Sequence, residues 1–284
     1  MRVKEATLDM NQNRDTDPST FLSRIVAHKR TELAEAREAM PETQLERLAA
    51  DAPAPRPFLE RLDPARLGVI AEVKRASPSR GAIAPDMDAA TQASRYAAGD
   101  AEAISVLTDR QFYHGSHEDL SAIRAVAPTP LLCKDFILDR YGLLQARAAG
   151  ADLVLLIVAV LGRDVQSLMR ETEALGMTPL VEVYTREEAE LALEVGAALI
   201  GVNNRNLHTF EVSLETTERL APLLAPHAVV ASLSGISTAA GARRAVATGA
   251  RAILVGEALV RATDPAPLIQ EFRAIPIPAL EVAR

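Results

Sequence analysis

Short apolar runs alternate with longer amphipathic stretches along most of the chain. Eight apolar runs occur, and most of them end in polar residues: 67–74, 102–109, 130–136, 151–158, 179–184, 198–206, 228–236 and 251–257. The stretches between them have helical patterns, namely 88–98, 115–127, 140–149, 163–175, 186–195, 214–224 and 238–248. Several of these stretches end in a glycine just before the next apolar run, which is typical of a helix C-terminus.

This alternation predicts the fold class. Continuous apolar strands that alternate with helices indicate a parallel sheet with both faces covered. Eight such units in 284 residues favour a TIM (β/α)8 barrel. A doubly wound open sheet is the alternative, and it is weakened because no G-x-G-x-x-G sequence follows the first predicted strand. In a barrel, the residues that end the strands meet at one end of the sheet.

The predicted barrel spans residues 67–272, and a helical extension, residues 20–66, precedes it. The extension begins with an amphipathic helix over residues 20–40. This helix either plugs the bottom of the barrel or covers its mouth, and the sequence does not decide between the two. Residues 1–19 are polar, lack the apolar segment of a secretory signal and are expected to form a flexible tail. Residues 273–284 are expected to form a C-terminal tail.

Composition and charge limit the function classes. With 48% hydrophobic residues, a chain of 284 residues can bury one large core. The net charge of −7 argues against general nucleic-acid binding, and the lack of a long apolar segment argues against a membrane span. The single cysteine, Cys133, excludes an internal disulfide and fits a reducing cytoplasm, which is the expected location. The sequence makes no prediction of the oligomeric state.

Residues 67–81, with the sequence LGVIAEVKRASPSRG, carry the most chemical information. A predicted strand runs directly into Glu72, Lys74 and a loop rich in serine, proline and glycine. Because side chains alternate along a strand, Glu72 and Lys74 point to the same side. A carboxylate and an ammonium at a strand exit suit a site that handles a charged small molecule. A salt-bridged strand end explains this segment equally well.

Seven segments stand in the order and spacing of the indole-3-glycerol phosphate synthase family: 70–81, 105–109, 134–136, 181–183, 201–206, 234–236 and 256–257. The chain resembles that family over about residues 20–265. The resemblance implies a TIM barrel with a short N-terminal helical extension. It also implies a carbon–carbon lyase of tryptophan biosynthesis, which converts 1-(2-carboxyphenylamino)-1-deoxyribulose 5-phosphate to indole-3-glycerol phosphate and releases carbon dioxide and water.

The resemblance assigns catalysis to Lys134, Glu72 and Glu182, at the ends of three predicted strands. Ring closure needs an acid that protonates the ribulose carbonyl as the aromatic ring attacks it, and Lys134 matches the family's acid. Dehydration then needs an acid and a base, and Glu72 and Glu182 match the family's catalytic carboxylates. No metal and no cofactor are implied. His114 and His117 have a spacing that suits a metal, but without a surrounding ligand set we interpret them as surface residues.

Charged groups of the substrate have their own predicted partners. Lys74 suits the substrate's anionic groups and an ion pair with Glu72. By resemblance, Asn203 and Arg205 orient the substrate's hydroxyls and carboxylate, and the Arg205 guanidinium offers a bidentate fork. The phosphate is expected in the loops after strands seven and eight, where barrels commonly bind phosphate. The residues indicated for it are Ser77, Lys74, Ser234, Gly235, Gly256 and Glu257. Without the resemblance, these glycines would be ordinary tight turns.

The aromatic ring of the substrate needs an apolar slot. The resemblance places four residues around it, namely Tyr113, Phe136, Leu155 and Leu207. A role in the plain barrel core is the alternative interpretation of Phe136 and Leu155.

Two positions depart from the family pattern. Leu233 stands where the family usually has glutamate in a Glu-Ser-Gly sequence, so the predicted mouth lacks one carboxylate. Residues 112–115 read Phe-Tyr-His-Gly, where the family more often has Tyr-Phe followed by a small polar residue. Tyr113 therefore keeps an aromatic surface and adds a hydroxyl.

Two other function classes stay open. One is another phosphate-binding barrel enzyme, such as an isomerase or aldolase, and the combination of Glu72, Lys74, Lys134 and Glu182 disfavours it. The other is a non-catalytic paralogue that binds a ligand or a partner, which the leucine at position 233 makes conceivable.

Overall fold

The computed structural model describes residues 20–278 of the chain. The predicted strands form a closed parallel barrel, in which each strand pairs with its neighbours in sequence and the last pairs with the first. These strands are β1 (Gly68–Val73), β2 (Ala103–Leu107), β3 (Leu131–Lys134), β4 (Leu153–Ile157), β5 (Thr178–Val183), β6 (Leu199–Asn203), β7 (Val229–Leu233) and β8 (Ala252–Val255). The predicted TIM barrel is confirmed, and the open doubly wound sheet is wrong.

Helices surround the barrel and occupy the extension. In chain order they are α1 (Phe21–Ala39), α2 (Glu42–Asp51), α3 (Ala89–Ala98), α4 (Arg110–Tyr113), α5 (His117–Val126), α6 (Arg140–Ala148), α7 (Val158–Leu161), α8 (Val165–Ala174), α9 (Arg186–Glu194), α10 (Glu215–Leu224), α11 (Ala239–Ala247), α12 (Glu257–Arg261) and α13 (Ala266–Arg273). Single 3₁₀ turns lie at Leu59–Arg61 and Gly162–Asp164, and Ala76–Ser77 pairs with Gly81–Ala82 in a small hairpin after β1.

Polar side chains fix where many of the helices start. The N-cap side chain accepts a hydrogen bond from a backbone N–H of the first turn in α1, α3, α4, α5, α6, α9 and α11. In α9 the bonds are reciprocal, because Glu188 also accepts from the backbone of Thr185. Each cap satisfies a donor that the helix leaves unpaired. The caps therefore fix the residues at which these helices begin.

Side chains on β1 alternate between two apolar layers. Val69, Ala71 and Val73 pack between the sheet and the outer helices. Ile70 points inward and packs in the barrel interior with Leu132, Leu155, Leu180, Leu233 and Leu254. Glu72 follows Ile70 on the inward face by strand alternation. It therefore lies above this apolar interior, at the end of the barrel where the carboxyl ends of the strands lie, which we call the mouth.

The first helix, α1, covers the mouth. Leu22 and Ile25 pack on the barrel-interior cluster. The Phe21 ring makes edge contacts with the rings of Phe112, after β2, and Phe210, after β6, at centroid distances of 5.4 and 4.8 Å. Of the two positions that the sequence left open for this helix, the structure therefore selects the mouth.

The segment just before β1 closes the opposite end of the barrel. Phe58 is fully buried and belongs to the same interior cluster. The Leu62 side chain lies so close to Gly68 that a Cβ there would come within 2.5 Å of it. Glycine at the start of β1 therefore lets this apolar plug approach the strand backbone.

The second helix, α2, is absent from the sequence prediction. Its buried residues are Leu45 and Ala49, which pack with Tyr141 and Leu144 of α6. It has two buried positions in 10 residues, as does α5, but it lies outside the alternation of strands and helices that marks the outer helices. The proline at its N-cap, Pro41, is the available start signal.

The chain after α13 returns to the start of the barrel. Backbone N–H groups of Leu67 and Ile277 donate to the carbonyl oxygens of Ile275 and Ala65, at 3.1 and 3.0 Å. The predicted N-terminal tail, residues 1–19, lies outside the described residues, as do the last six residues of the predicted C-terminal tail. The division into extension, barrel and tails stays a prediction. Within residues 20–278, no helix has the length and apolar character needed to cross a membrane.

Candidate active site

The mouth contains a cavity of about 470 Å³. Most of the predicted site residues line it, namely Glu72, Lys74, Ser77, Tyr113, Lys134, Asn203, Arg205, Leu207, Ser234, Gly235, Gly256 and Glu257. Three predicted residues, Glu182, Phe136 and Leu155, are not among its lining residues. The fold thus brings together residues that lie far apart in the sequence, because all strand exits face the same end of the barrel.

Glu72 and Lys74 form an ion pair at the exit of β1. The Lys74 ammonium lies 2.5 Å from the Glu72 carboxylate, and both side chains are largely buried. Gly256, after β8, lies directly against this pair. A Cβ at position 256 would clash with the Glu72 carboxylate and come within 2.9 Å of Lys74 Nζ. Glycine at this position therefore makes room for the pair.

A second cation–carboxylate pair lies across the mouth. Lys134 Nζ, at the end of β3, is 3.7 Å from Glu182 Oε2, on β5. The Asn203 amide donates to Glu182 Oε1 at 2.9 Å and fixes the orientation of that carboxylate. Glu182 Oε2 is buried and makes no hydrogen bond within the described chain. Glu182 Oε2 and the Lys134 ammonium therefore face each other at a distance too long for a direct hydrogen bond.

Arg205 extends the polar surface from the exit of β6 toward the first loop. The side-chain oxygen Oδ1 of Asn203 accepts a hydrogen bond from the Arg205 backbone N–H at 3.0 Å. The Arg205 guanidinium donates to Ser79 Oγ at 3.1 Å and to the Phe210 carbonyl at 3.4 Å. Arg205 therefore connects the hairpin after β1 with the loop after β6 while it lines the cavity.

Asn204 shapes the loop after β7, and sequence reasoning missed it. Its amide nitrogen donates to the carbonyl oxygens of Leu233 and Ser234 at 3.1 and 3.0 Å. Ser234 and Gly235 both have positive φ, +66° and +80°. For serine this conformation is unfavourable, so the buried Asn204 amide supports a strained turn at the cavity wall.

Glu257 directs its carboxylate toward two arginines. It lies 3.6 Å from the Arg80 guanidinium and 3.0 Å from the Arg261 guanidinium. Gly256 precedes it as the N-cap of α12. The first backbone N–H groups of a helix have no partner within it, so this segment offers donors to an anion while the Glu257 carboxylate is paired elsewhere.

Aromatic and apolar residues form the wall between β2 and β4. The Tyr113 and Phe136 rings lie 6.5 Å apart, tilted by 36°. Leu155 is buried in the barrel interior, and the partly buried Leu207 packs against the same cluster. Burial, reinforced by the charge of Glu72, raises the pKa of the Tyr113 phenol. The Tyr113 hydroxyl therefore stays protonated and available as a donor.

The surface assignment of His117 holds only in part, because the residue is half-buried. Its Nε2 is buried without a hydrogen-bond partner, and burial lowers the pKa of its imidazole. His114 is exposed, as predicted. No group of three potential metal ligands occurs within residues 20–278. The first turn of α5 carries His117 into the cluster around Asp135, which its position at the start of an amphipathic helix does not reveal.

Lys29 is a second residue that sequence reasoning missed. It extends from α1 to the exits of β2 and β3, where it contacts Asp109 and Asp135, and is only 4% exposed. The sequence contains four lysines, Lys4, Lys29, Lys74 and Lys134, against a total of 31 lysines and arginines. Three of the four lie at the mouth, so the unusual use of lysine was the signal available in the sequence.

Leu233 occupies the inner wall of the cavity. It is 1% exposed, and its Cδ1 lies so near Gly201 that a Cβ there would be 2.6 Å away. Its partner in the register with β6 is Asn203. An apolar side chain therefore stands beside the amide that holds Glu182.

Replacing Leu233 with glutamate is expected to give a folded protein whose turnover equals or exceeds that of the original. The position lines the cavity with Lys74, Lys134 and Arg205, and a nearby cation offsets the cost of desolvating a carboxylate. Thermal melts and steady-state kinetics on one preparation test this. Leu233→Gln is the control for polarity without charge. A large fall in Tm together with lost activity would mean that the mouth is packed around leucine.

The chain is similar to proteins of one family. The family model described as indole-3-glycerol phosphate synthase matches residues 22–272. The indole-3-glycerol phosphate synthase of Roseiflexus sp. (strain RS-1) is 47% identical over 263 residues, which cover 89% of this chain and 98% of that protein. The corresponding protein of Nocardioides sp. is 47% identical over 257 residues, 90% of this chain and 99% of that protein.

A solved structure shares the fold at low sequence identity. The 3-hexulose-6-phosphate synthase of Salmonella typhimurium superposes with a TM-score of 0.56 and 16% identity, over 73% of this chain and 97% of that chain. This likeness concerns the barrel alone.

Proposed function

Because the chain belongs to the indole-3-glycerol phosphate synthase family, we infer that the mouth of its barrel converts 1-(2-carboxyphenylamino)-1-deoxyribulose 5-phosphate to indole-3-glycerol phosphate. The protein is a carboxy-lyase of tryptophan biosynthesis. The reaction closes a five-membered ring and releases carbon dioxide and water. The observation that carries the residue assignments is the Lys134–Glu182 pair, which Asn203 orients at the cavity.

Ring closure uses Lys134 as the general acid. The aromatic carbon that bears the carboxylate attacks the ribulose carbonyl carbon, and the carbonyl oxygen takes a proton as the new bond forms. Two observations support this role: Lys134 lines the cavity, and its ammonium lies beyond hydrogen-bond distance from Glu182. The ammonium therefore has a proton to donate to a bound substrate.

Loss of carbon dioxide leaves its bonding electrons in the ring and restores conjugation. The hydroxyl then leaves as water with a proton from an acid, and a base takes a proton from the methylene carbon bonded to the ring nitrogen, which forms the new double bond of the indole. We assign these transfers to the two carboxyl groups, Glu182 and Glu72. Glu182 has an oxygen without a hydrogen-bond partner in the described chain, whereas Glu72 is bound to Lys74. Their different environments suit two different roles in proton transfer.

The anionic groups of the substrate have separate partners in the cavity. The Arg205 guanidinium pairs with the anthranilate carboxylate until it leaves, with Asn203 orienting the hydroxyls. The phosphate lies between the hairpin after β1 and the loops after β7 and β8. Its partners are Lys74, Ser77, Ser234, Gly235 and Gly256, with Glu257 contributing its backbone N–H. Phosphate binding at these positions is supported by their shared lining of the cavity.

The anthranilate ring occupies the apolar wall. Tyr113 and Leu207 line the cavity, and Phe136 lies behind Tyr113. Leu155 belongs to the buried layer below them and supports the floor of the slot. This arrangement holds the ring on the β2–β4 side, near Lys134, so that the carbonyl and the acid meet.

We place the enzyme in the cytoplasm, because its single cysteine excludes an internal disulfide and fits a reducing compartment. The single cysteine, Cys133, is buried, and burial raises the pKa of its thiol to about 12. Such a thiol is unreactive as a nucleophile, which suits a packing role.

A turnover assay tests the proposed function. Purified protein given 1-(2-carboxyphenylamino)-1-deoxyribulose 5-phosphate is expected to produce indole fluorescence and one carbon dioxide for each product molecule. Binding of the substrate without any product would instead identify a non-catalytic paralogue. An isomerised or cleaved sugar phosphate without carbon dioxide would identify another barrel enzyme.

A further inference from the structure

Lys29 connects α1 to the exits of two barrel strands. Its ammonium lies 2.9 Å from Asp135 Oδ1 and 3.4 Å from Asp109 Oδ2, and 2.7 Å from Glu32 on its own helix. Asp109 and Asp135 are almost completely buried. A single buried cation thus serves three carboxylates, two of which come from the barrel.

Each of the two barrel carboxylates holds part of the proposed active site. Asp135 stands between Lys134 and Phe136 in the sequence, accepts from Thr108 Oγ1 at 2.7 Å and accepts from the Phe136 backbone N–H at 2.7 Å. It therefore fixes the turn that aims the Lys134 side chain.

Asp109 has the corresponding role for the aromatic wall. It is the N-cap of α4, and its Oδ1 accepts from the Phe112 backbone N–H at 2.7 Å. The same short helix carries Tyr113. Lys29 therefore contacts both the carboxylate that orients the general acid and the carboxylate that orients the ring wall.

The charges around Lys29 make the cluster sensitive to its loss. The facing groups are Glu32 on α1, Asp109, Asp135, and His117 and Glu118 on α5. Burial alone would raise the pKa of Asp135, but Lys29, His117 and the Thr108 hydrogen bond together hold it below its usual value. Burial raises the pKa of Asp109 despite Lys29. Without Lys29, both carboxylates would be buried beside one another, with only the His117 imidazole, whose pKa burial lowers, as a neighbouring base.

We propose that Lys29 is a positioning residue for the reaction, which fixes the Lys134 turn and the Tyr113 helix relative to each other through Asp135 and Asp109. The inference rests on the proposed function of the mouth. The compact ammonium fits this role better than a guanidinium, because it contacts carboxylates from three directions without a planar fork. The chain otherwise uses arginine for nearly all of its cations, which is consistent with a specific need for lysine here.

The phosphate subsite provides an internal reference for the test. It is formed from β1, β7 and β8, whereas the residues that Lys29 holds follow β2 and β3. Lys29→Met is therefore expected to lower kcat by about 10²-fold through misplacement of reacting groups. The inhibition constant of inorganic phosphate, measured as a competitive inhibitor, is expected to stay within about twofold of the original value.

Two further variants separate positioning from general stability. Arg30→Met removes an exposed cation from the same helix and is expected to leave kcat, Tm and phosphate inhibition unchanged. Lys29→Arg keeps the charge and is expected to restore Tm but only part of kcat. If kcat instead follows the folded fraction across all variants, with phosphate binding falling in parallel, Lys29 is merely structural and the proposal is overturned.

If Lys29→Met does not fold, a charge-balanced variant still tests the proposal. Lys29→Met combined with Asp109→Asn and Asp135→Asn removes the unpaired buried charges. Each asparagine keeps one acceptor oxygen, which serves the Phe112 N–H at position 109 and one of the two donors that Asp135 now binds at position 135. This protein is expected to be folded and slow, with phosphate inhibition retained, and a kcat within twofold of the original would overturn the proposal. If the unmodified protein has no turnover, the proposed function itself fails. An active unmodified protein with an equally active Lys29→Met variant overturns the positioning role alone.

Discussion

Replacing Lys134 with methionine is expected to lower kcat by roughly 10²–10⁴-fold, the usual contribution of general acid–base catalysis. Methionine has a similar length but no proton to donate to the ribulose carbonyl. Because Lys134 ends β3 and points into the cavity, no other described lysine replaces it at that strand exit. Single-turnover measurement of indole fluorescence separates the loss of ring closure from a change in product release.

Binding provides the control for this variant. Lys134 ends β3, whereas the proposed phosphate partners follow β1, β7 and β8. Inorganic phosphate is therefore expected to compete with the substrate for Lys134→Met as it does for the original protein. Arg219→Met, which removes an exposed cation from α10, should behave like the original protein. Turnover by Lys134→Met within a few-fold of the original would remove this residue from the role of acid.

Replacing Glu182 with glutamine is also expected to lower kcat by roughly 10²-fold or more, with little change in substrate affinity. Glutamine preserves the side-chain shape and keeps an acceptor for the Asn203 amide, but it does not exchange a proton as a carboxylate does. Its amide nitrogen would also face the Lys134 ammonium, where the carboxylate Oε2 now lies. Steady-state kinetics at saturating substrate measure the effect on kcat directly.

The matched control is Glu173→Gln, the same change at an exposed position on α8. It should leave kcat and Tm unchanged. If Glu182→Gln has the original kcat at saturating substrate, Glu182 belongs to the strand end as a structural residue, and Glu72 must provide both proton transfers.

Much of the fold could be predicted from the sequence, because the patterns that specify its strands and helices are local. Apolar runs identify β1 to β8, and the amphipathic stretches between them identify the main outer helices. Parallel strands joined by helices have their carboxyl ends on one side. The convergence of residues such as Glu72, Lys134 and Asn203 followed from that rule. Helix α2 escaped prediction because it precedes β1 and therefore lies outside the strand–helix alternation that identified the other helices.

The sequence by itself thus determined the barrel, its family and the strand ends that supply the chemistry. Only the tertiary structure decided that α1 covers the mouth, that Lys29 joins Asp109 and Asp135, and that His117 Nε2 is buried. The physical reason is that these features depend on contacts between residues distant in the chain. Periodicity specifies which face of a helix is apolar, but the surface that this face meets, and the charges buried with it, exist only once the barrel has closed.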